Sequence, residues 1–522
     1  MAARYDAIVI GGGHNGLVCA AYLARARRKV LVLEAADRLG GAAATWEFAP
    51  GFRVSACAHI LGQMQRGIID DLGLLRHGLR FAATGMTTTA LTPDGRPLTL
   101  GIQGITGCSA ADAAAWSGFH ARMRGFAHRL GAILGMTPPR LGTQSWADRR
   151  DLVRMAWQVR RLGRAEMREL LRIIGMNAYD LLEDAFESPL LKGALGFDAV
   201  LGANFGPRSP GTALTLLYRM AAEAGAGTGL AQPLAGMGAV ADAIAASARA
   251  AGADIRAGAK VARILVDGDR AAGVILDSGE AIAAGAVISS ADPRTTFLAL
   301  LGAEYLDTGF VRRVDHFRHR GLAAKLHLAL DGLPDFAGLE QAALGGRLIV
   351  APALDYLEHA YNHAKYGEYS QSPALEITLP TVNDPALAPP GKHVLSAVVQ
   401  YAPHDLAGGW SSQRERFADI VVATIARHAP GLERLITARE LLTPVDIERE
   451  FRIAGGHWHH GDLAFDQFLM VRPVPGAAQY ETPVEGLFLC GAGSHPGGGV
   501  MGVAGRNAAR RVLRRKAQDR AA

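Results

Sequence analysis

Apolar residues fill positions 5–10 almost without a break and give way to Gly11-Gly12-Gly13-His14-Asn15-Gly16. They resume as an Ala-rich stretch over 17–28 and close up again over 30–33, before Glu34. A short continuous apolar run bounded by turn residues predicts a strand buried on both faces, and the Ala-rich stretch predicts a helix. Strand, helix and strand make a βαβ unit, the usual route to a parallel sheet. From about 110 to 201 the pattern is helical and rich in arginine. There Leu152, Met155, Ala156, Val159 and Leu162 fall at helical spacing opposite Arg149, Arg150, Arg154, Arg160 and Arg161. This stretch reads as an inserted cap, its basic side either a solvated face or a surface for a membrane.

A helix over 234–251 precedes strands over 261–266, 272–276 and 281–289, with Asp267-Gly268 and Ser278-Gly279 as the turns between them. Further strands are predicted over 321–330, 374–379 and 394–401, then a helix over 413–427. Along the first of these, Leu322, Ala324, Leu326, Leu328 and Leu330 share one face, and Ala323, Lys325, His327 and Ala329 share the other. The second set fits either an outer face in water or a face turned on a ligand. A last strand over 487–490 runs into Gly-rich 491–502 and a helix to 515.

The two ends are alike and the middle differs, which predicts an α/β chain with a Rossmann-like dinucleotide-binding domain assembled from 1–75, 226–300 and 466–522. Between these segments is threaded a substrate domain, a helical cap over 76–225 and an antiparallel sheet over 301–465.

The 522 residues exceed what one core accommodates, roughly 250 to 300, in keeping with more than one packing unit. A hydrophobic share of 49% with 20% charged residues excludes a disordered or collagen-like chain. The net charge is +6, yet only 7 of the 55 basic residues are lysine and none form a compact block with aromatics, so nucleic acid is not expected as a partner. Cys19, Cys57, Cys108 and Cys490 are scattered, without CxxC spacing, which argues for a reducing compartment and against structural zinc or dithiol chemistry. Neither a signal peptide nor a run of about 18 apolar residues is evident, so a cytoplasmic protein is expected, peripheral at the membrane if the cap docks there.

The glycine hexapeptide matches GxGxxG in full context, after a strand and before a helix, with Glu34 eighteen residues beyond Gly16. Gly11 allows the tight turn, Gly13 lets the backbone reach a pyrophosphate, and Gly16 allows close helix packing; His14 and Asn15 open the helix whose N-terminus favours the phosphate charge. Glu34 can accept ribose hydroxyls. Just beyond it, Arg38 offers a donor fork to phosphate, and Gly40 and Gly41 let the chain pass beside an extended ligand.

With these residues the sequence resembles the flavoproteins grouped with phytoene desaturases and amine oxidases, and the resemblance implies FAD. It extends to the C-terminal stretch 487–502. There the family holds the ribityl chain and flavin ring at positions matching Gly491, Gly493, Gly499, Val500 and Met501. Within the superfamily, Gly-Gly-His-Asn-Gly, the 455–461 stretch and His495-Pro-Gly-Gly-Gly-Val-Met are similar to the family of pyridine nucleotide-disulphide oxidoreductase domain-containing protein 2 and its bacterial relatives.

By the same resemblance, His59 lines the flavin cavity, Val261 meets adenine through its backbone, and Lys325 holds a water near flavin N5. His59 and Val261 could equally be core residues. His327 shares the face of Lys325, and His459 lies in the histidine-rich run His457-Trp458-His459-His460, read as active-site lining, surface loop or, least, a metal site. Lys325, His327 and His459 are the catalytic candidates, and no metal is expected.

The activity implied is transfer of a hydride from a C–H bond of an apolar, isoprenoid or acyl-like substrate to flavin N5, as a dehydrogenase, desaturase or isomerase. An acceptor such as oxygen or quinone would take the electrons. A flavin amine oxidase, a FAD-binding chaperone without turnover, and a homo-oligomer remain open.

Overall fold

The computed structural model describes residues 5–101, 104–142 and 144–519, with side chains through 515. Its first unit is a five-stranded parallel sheet, β1 (Ala7–Ile10), β2 (Val30–Leu33), β3 (Asp254–Arg256), β4 (Val287–Ser289) and β5 (Leu487–Leu489), in the order 3-2-1-4-5. Side chains alternate cleanly between its faces. Ala7, Val9, Val30, Val32 and Ile288 meet the helices His14–Arg25, Gly238–Ala250 and Val503–Asp519. Ile8, Ile10, Leu31, Leu33 and Val287 meet a three-stranded meander, Val261–Asp267, Arg270–Leu276 and Ala281–Ala283. Both faces are apolar because both are covered, which is why these strands read as unbroken hydrophobic runs.

The second unit is an eight-stranded sheet in the order Ile436–Leu442, Ala323–Leu330, His393–Gln400, Ala374–Thr378, Arg347–Val350, Thr88–Ala90, Leu98–Gly101 and Gly104–Thr106. It is antiparallel except where Arg347–Val350 meets Thr88–Ala90. The last three strands come from the stretch expected to be cap, so the sheet draws on chain from both sides of the middle segment of the first domain. Three-residue strands such as TTA and GIT are too short for their periodicity to be seen.

One face of Ala323–Leu330 packs Ala324, Leu326, Leu328 and Leu330 against the helix Trp410–Ala426. The other face, which carries Lys325 and His327, is not in water. The hairpin Thr45–Ala49/Phe52–Ser55 lies across it, with Phe52 and Val54 on Ala329 and the Phe48 ring 5.6 Å from His327.

The cap helices start at side-chain caps. Ser109, Ser145, Asn177 and Ser188 each accept a hydrogen bond from a backbone N–H three residues on, satisfying a donor the helix leaves free. Helix Ala110–Leu134 packs on Thr212–Ala226 through Phe126, Leu130 and Leu217. Helix Trp146–Arg160 buries no residue completely: Leu152, Met155 and Val159 are half-covered, Ala156 is exposed, and Trp146 and Trp157 stand 82% and 55% exposed. The expected apolar stripe is therefore only partly met. Among the described residues, no helix is long and apolar enough to cross a membrane.

Candidate active site

The glycine loop leaves β1 at Ile10 and enters its helix at His14. Gly11 sits at φ +94°, and a Cβ on Gly16 would run into the Gly11 carbonyl, so both positions require glycine. Glu34, at the end of β2, is fixed by two backbone donors: Gly12 N–H to Oε2 at 2.6 Å and Ala36 N–H to Oε1 at 2.8 Å. Gly40, at φ +112°, donates its N–H to the Gly12 carbonyl at 2.9 Å, tying the second glycine pair to the first. Arg38 lies half-exposed over the Trp46 ring at 5.0 Å.

A cavity of about 400 Å³ opens along this loop. Gly11, Gly13, His14, Asn15, Glu34, Arg38, Gly40, Gly41, His59, Val261, His459, Gly499 and Val500 line it, with His457, Trp458 and His460 beside His459. Gly16, Gly491, Gly493 and Met501 stand behind the wall. A Cβ on Gly491 would strike the Ser290 carbonyl and one on Gly493 the Pro293 ring, while Met501 is packed in the core. These four shape the cradle by close packing rather than by facing the cavity.

The residues fit an extended anionic dinucleotide. Open space adjoins Gly13, where an added Cβ would find only Ser290 Oγ, at 3.9 Å. The helix N-terminus points its free N–H groups there. The buried His14 Nε2 has no protein partner and is available to a ligand.

Burial lowers several of the histidines on and behind the wall. Burial, then the neighbouring His460, lowers His14 to about 4; burial, then Lys325, lowers His59 to about 4; and burial holds His459 and His327 well below their ordinary value. His59 is doubly tied, Nε2 to Glu376 at 2.8 Å and Nδ1 to Thr378 Oγ1 at 3.1 Å, so it both lines the cavity and is satisfied. His327 bonds Ser396 Oγ and the Ala56 carbonyl and lies behind the wall. Lys325 also lies behind it, fully buried, with no hydrogen-bond partner for Nζ. Burial lowers it to about 7, and its charge is felt by Cys57 and His59, both on the wall.

Several site residues carry no local sequence signal. Fully buried Arg472 donates to the carbonyls of Asp462 at 2.8 Å and of Gln467, His459, Gly461 and Ala492 at 3.1 Å, pinning the histidine loop to the C-terminal glycine segment. Arg347 and Glu376 hydrogen-bond each other inside the second sheet. Arg347 opens the run RLIV and Glu376 sits inside ALEIT, and neither spacing shows that the two meet.

A parallel sheet ordered 3-2-1-4-5, with the glycine loop and its acid at the carboxyl ends of β1 and β2, defines a dinucleotide-binding protein of the Rossmann type. Residues 16–513 match the family of flavin containing amine oxidoreductases; the chain belongs to that family, and FAD is its cofactor. It is 37% identical to mouse pyridine nucleotide-disulfide oxidoreductase domain-containing protein 2 over 98% of this chain and 94% of that one. It is 28% identical to a limonene dehydrogenase subunit of Castellaniella defragrans over 97% and 94% of the two chains. Its fold is similar to that of a crystallised oxidoreductase from Methanosarcina mazei, with a TM-score of 0.59 at 20% identity over 97% and 99% of the chains.

Proposed function

We propose that the protein oxidises a C–H bond of an apolar, isoprenoid or acyl-like substrate, as a dehydrogenase or desaturase, or rearranges such a substrate as an isomerase. Bound FAD supplies the hydride acceptor. Gly11, Gly13, His14, Asn15, Glu34, Arg38, Gly40, Gly41 and Val261 hold its dinucleotide part, and His59, Gly499 and Val500 its ring end. Among the relatives, a limonene dehydrogenase subunit supports an apolar substrate. Oxygen or a quinone is the acceptor class that returns the cofactor to its oxidised state.

The observation that carries the reading is Lys325. A buried amine without a partner costs about 1 to 3 kcal/mol. One held beside the wall residues Cys57 and His59 is placed to hold a water or a proton for the reaction. His459, neutral on the cavity wall, orients substrate, and His327 shares the buried strand face of Lys325 two residues on.

Lys325→Met is expected to slow reduction by a donor about 10²-fold, the scale of a lost acid–base group. FAD content and the absorbance near ~450 nm should be kept. An unchanged stopped-flow rate would remove Lys325 from the mechanism.

The cap supports docking on an anionic membrane surface from which such a substrate would enter. Trp146, Val153 and Trp157 are exposed along one stripe of a helix that also carries Arg149, Arg150, Arg154 and Arg160, and the Arg161 guanidinium stacks 4.6 Å from the Trp157 ring. Flotation with phosphatidylglycerol vesicles at low salt should carry the protein upward, and no flotation would end this part of the proposal.

A further inference from the structure

The part of the cavity wall formed by Asp198, Arg219, Glu223 and Glu376 is ionic, although Ala199, Leu201, Ala203, Leu230 and Val398 also line the cavity. Its hydrogen bonds are unevenly used. Arg347, behind the wall, donates to Asp198 Oδ1 at 2.6 Å and to Glu376 Oε2, and the other Glu376 oxygen is taken by His59. Both of these acids are thus already held from within the protein.

Arg219 is held loosely. Its Nε lies 3.4 Å from Asp198 and 3.3 Å from Glu223, its terminal nitrogen is 3.9 Å from Glu376, and the buried Nε makes no hydrogen bond. Burial also raises Glu223 toward its protonated, donating form, ahead of the opposing pull of Arg219. What remains unspent here is donor capacity, in a guanidinium fork whose geometry matches two oxygens of one group.

We propose that the substrate is amphipathic and that Arg219 binds a carboxylate head while its apolar chain lies along the alanine and leucine wall. This rests on the reading of the cavity as the place of an apolar chain and adds the head group to it. A hydrocarbon without a head would leave the Arg219 Nε without a hydrogen-bond acceptor, balanced only by the longer charge contacts to Asp198, Glu223 and Glu376. A cationic head would meet the like charge of Arg219, beside acids that Arg347 already holds.

The FAD-loaded full chain, kept anaerobic, is titrated with decanoate, decanol and decylamine, each read by its perturbation of the flavin visible spectrum. Decanoate is expected to bind about tenfold or more tightly than either of the others, the scale of one charge-assisted hydrogen-bond pair. Arg219→Gln should lose that preference with FAD content unchanged, and Arg219→Lys should keep part of it. Decylamine or decanol binding as tightly as decanoate to the wild-type protein overturns the proposal, and this ranking needs no variant to fold. So does an undiminished preference for decanoate in Arg219→Gln. A holoenzyme that ranks the three as expected, yet is reduced by no C–H donor, overturns the oxidoreductase reading and supports this one.

Discussion

The two sheets are both buried on two faces, and they use that burial differently. In the five-stranded sheet every inward side chain of β1, β2 and β4 named above is apolar, so burial returns stability at about 25 cal/mol per Å². In the eight-stranded sheet, Lys325, His327, Arg347, Glu376, Ser396 and Gln400 are all buried among its leucines. Arg347 and Glu376 offset their desolvation with each other and with Asp198 and His59, whereas Lys325 has no such partner. The first sheet is a platform for a cofactor, and the second carries polar groups at a net cost beside the space where substrate would lie. That contrast is what a site held ready for a ligand looks like in energetic terms.

The hardest test of the contrast is Arg347→Met. It leaves Glu376 and Asp198 without their inner cation, and a loss of about 3 to 5 kcal/mol in urea unfolding is expected. Ile288→Ala in the first sheet should cost a comparable ~2 to 5 kcal/mol through its cavity alone. In that variant the pH dependence of stability should be that of the wild type, which separates packing from charge.

Lys325→Met acts in the opposite direction, raising stability by about 1 to 3 kcal/mol as the unpaired amine is removed. It also changes the response to pH. Burial sets Lys325 at about 7 against 10.5 for an ordinary lysine, so between these values the unfolded chain binds the extra proton and stability rises with pH. Below about pH 7 both states are protonated and the burial penalty is fully present. The variant should lose this part of the slope between about pH 7 and 10, measured by urea midpoints, and a parallel curve would show that Lys325 is not buried as described. The smallest effect is expected at the half-exposed cap helix, where Trp157→Ser should move stability by no more than about 0.5 kcal/mol while weakening vesicle flotation.

Much of the first sheet was legible because its signals are local. Glycines at tight turns, an acid at the end of a strand and an unbroken apolar run are set by backbone sterics and side-chain size within about thirty residues. Lys325 and His327 could be placed on one face, but whether that face met water depended on the hairpin Thr45–Ala49/Phe52–Ser55, far away in the chain. The exposed stripe of Trp146, Val153 and Trp157 was not legible, since the helical spacing picked out Leu152, Met155, Ala156, Val159 and Leu162, and which side lacks a covering neighbour depends on packing.

The sequence by itself determined a βαβ dinucleotide cradle and the residues at its loop, since these rest on the conformational limits of a few consecutive residues, while FAD followed from the resemblance to the flavoproteins. Only the tertiary structure decided that Asp198, Arg219, Arg347 and Glu376 converge beside the cavity and that Arg472 pins the histidine loop. The charges that make that cluster lie on separate helices and strands, and their energies depend on distance and burial, which no spacing along the chain encodes.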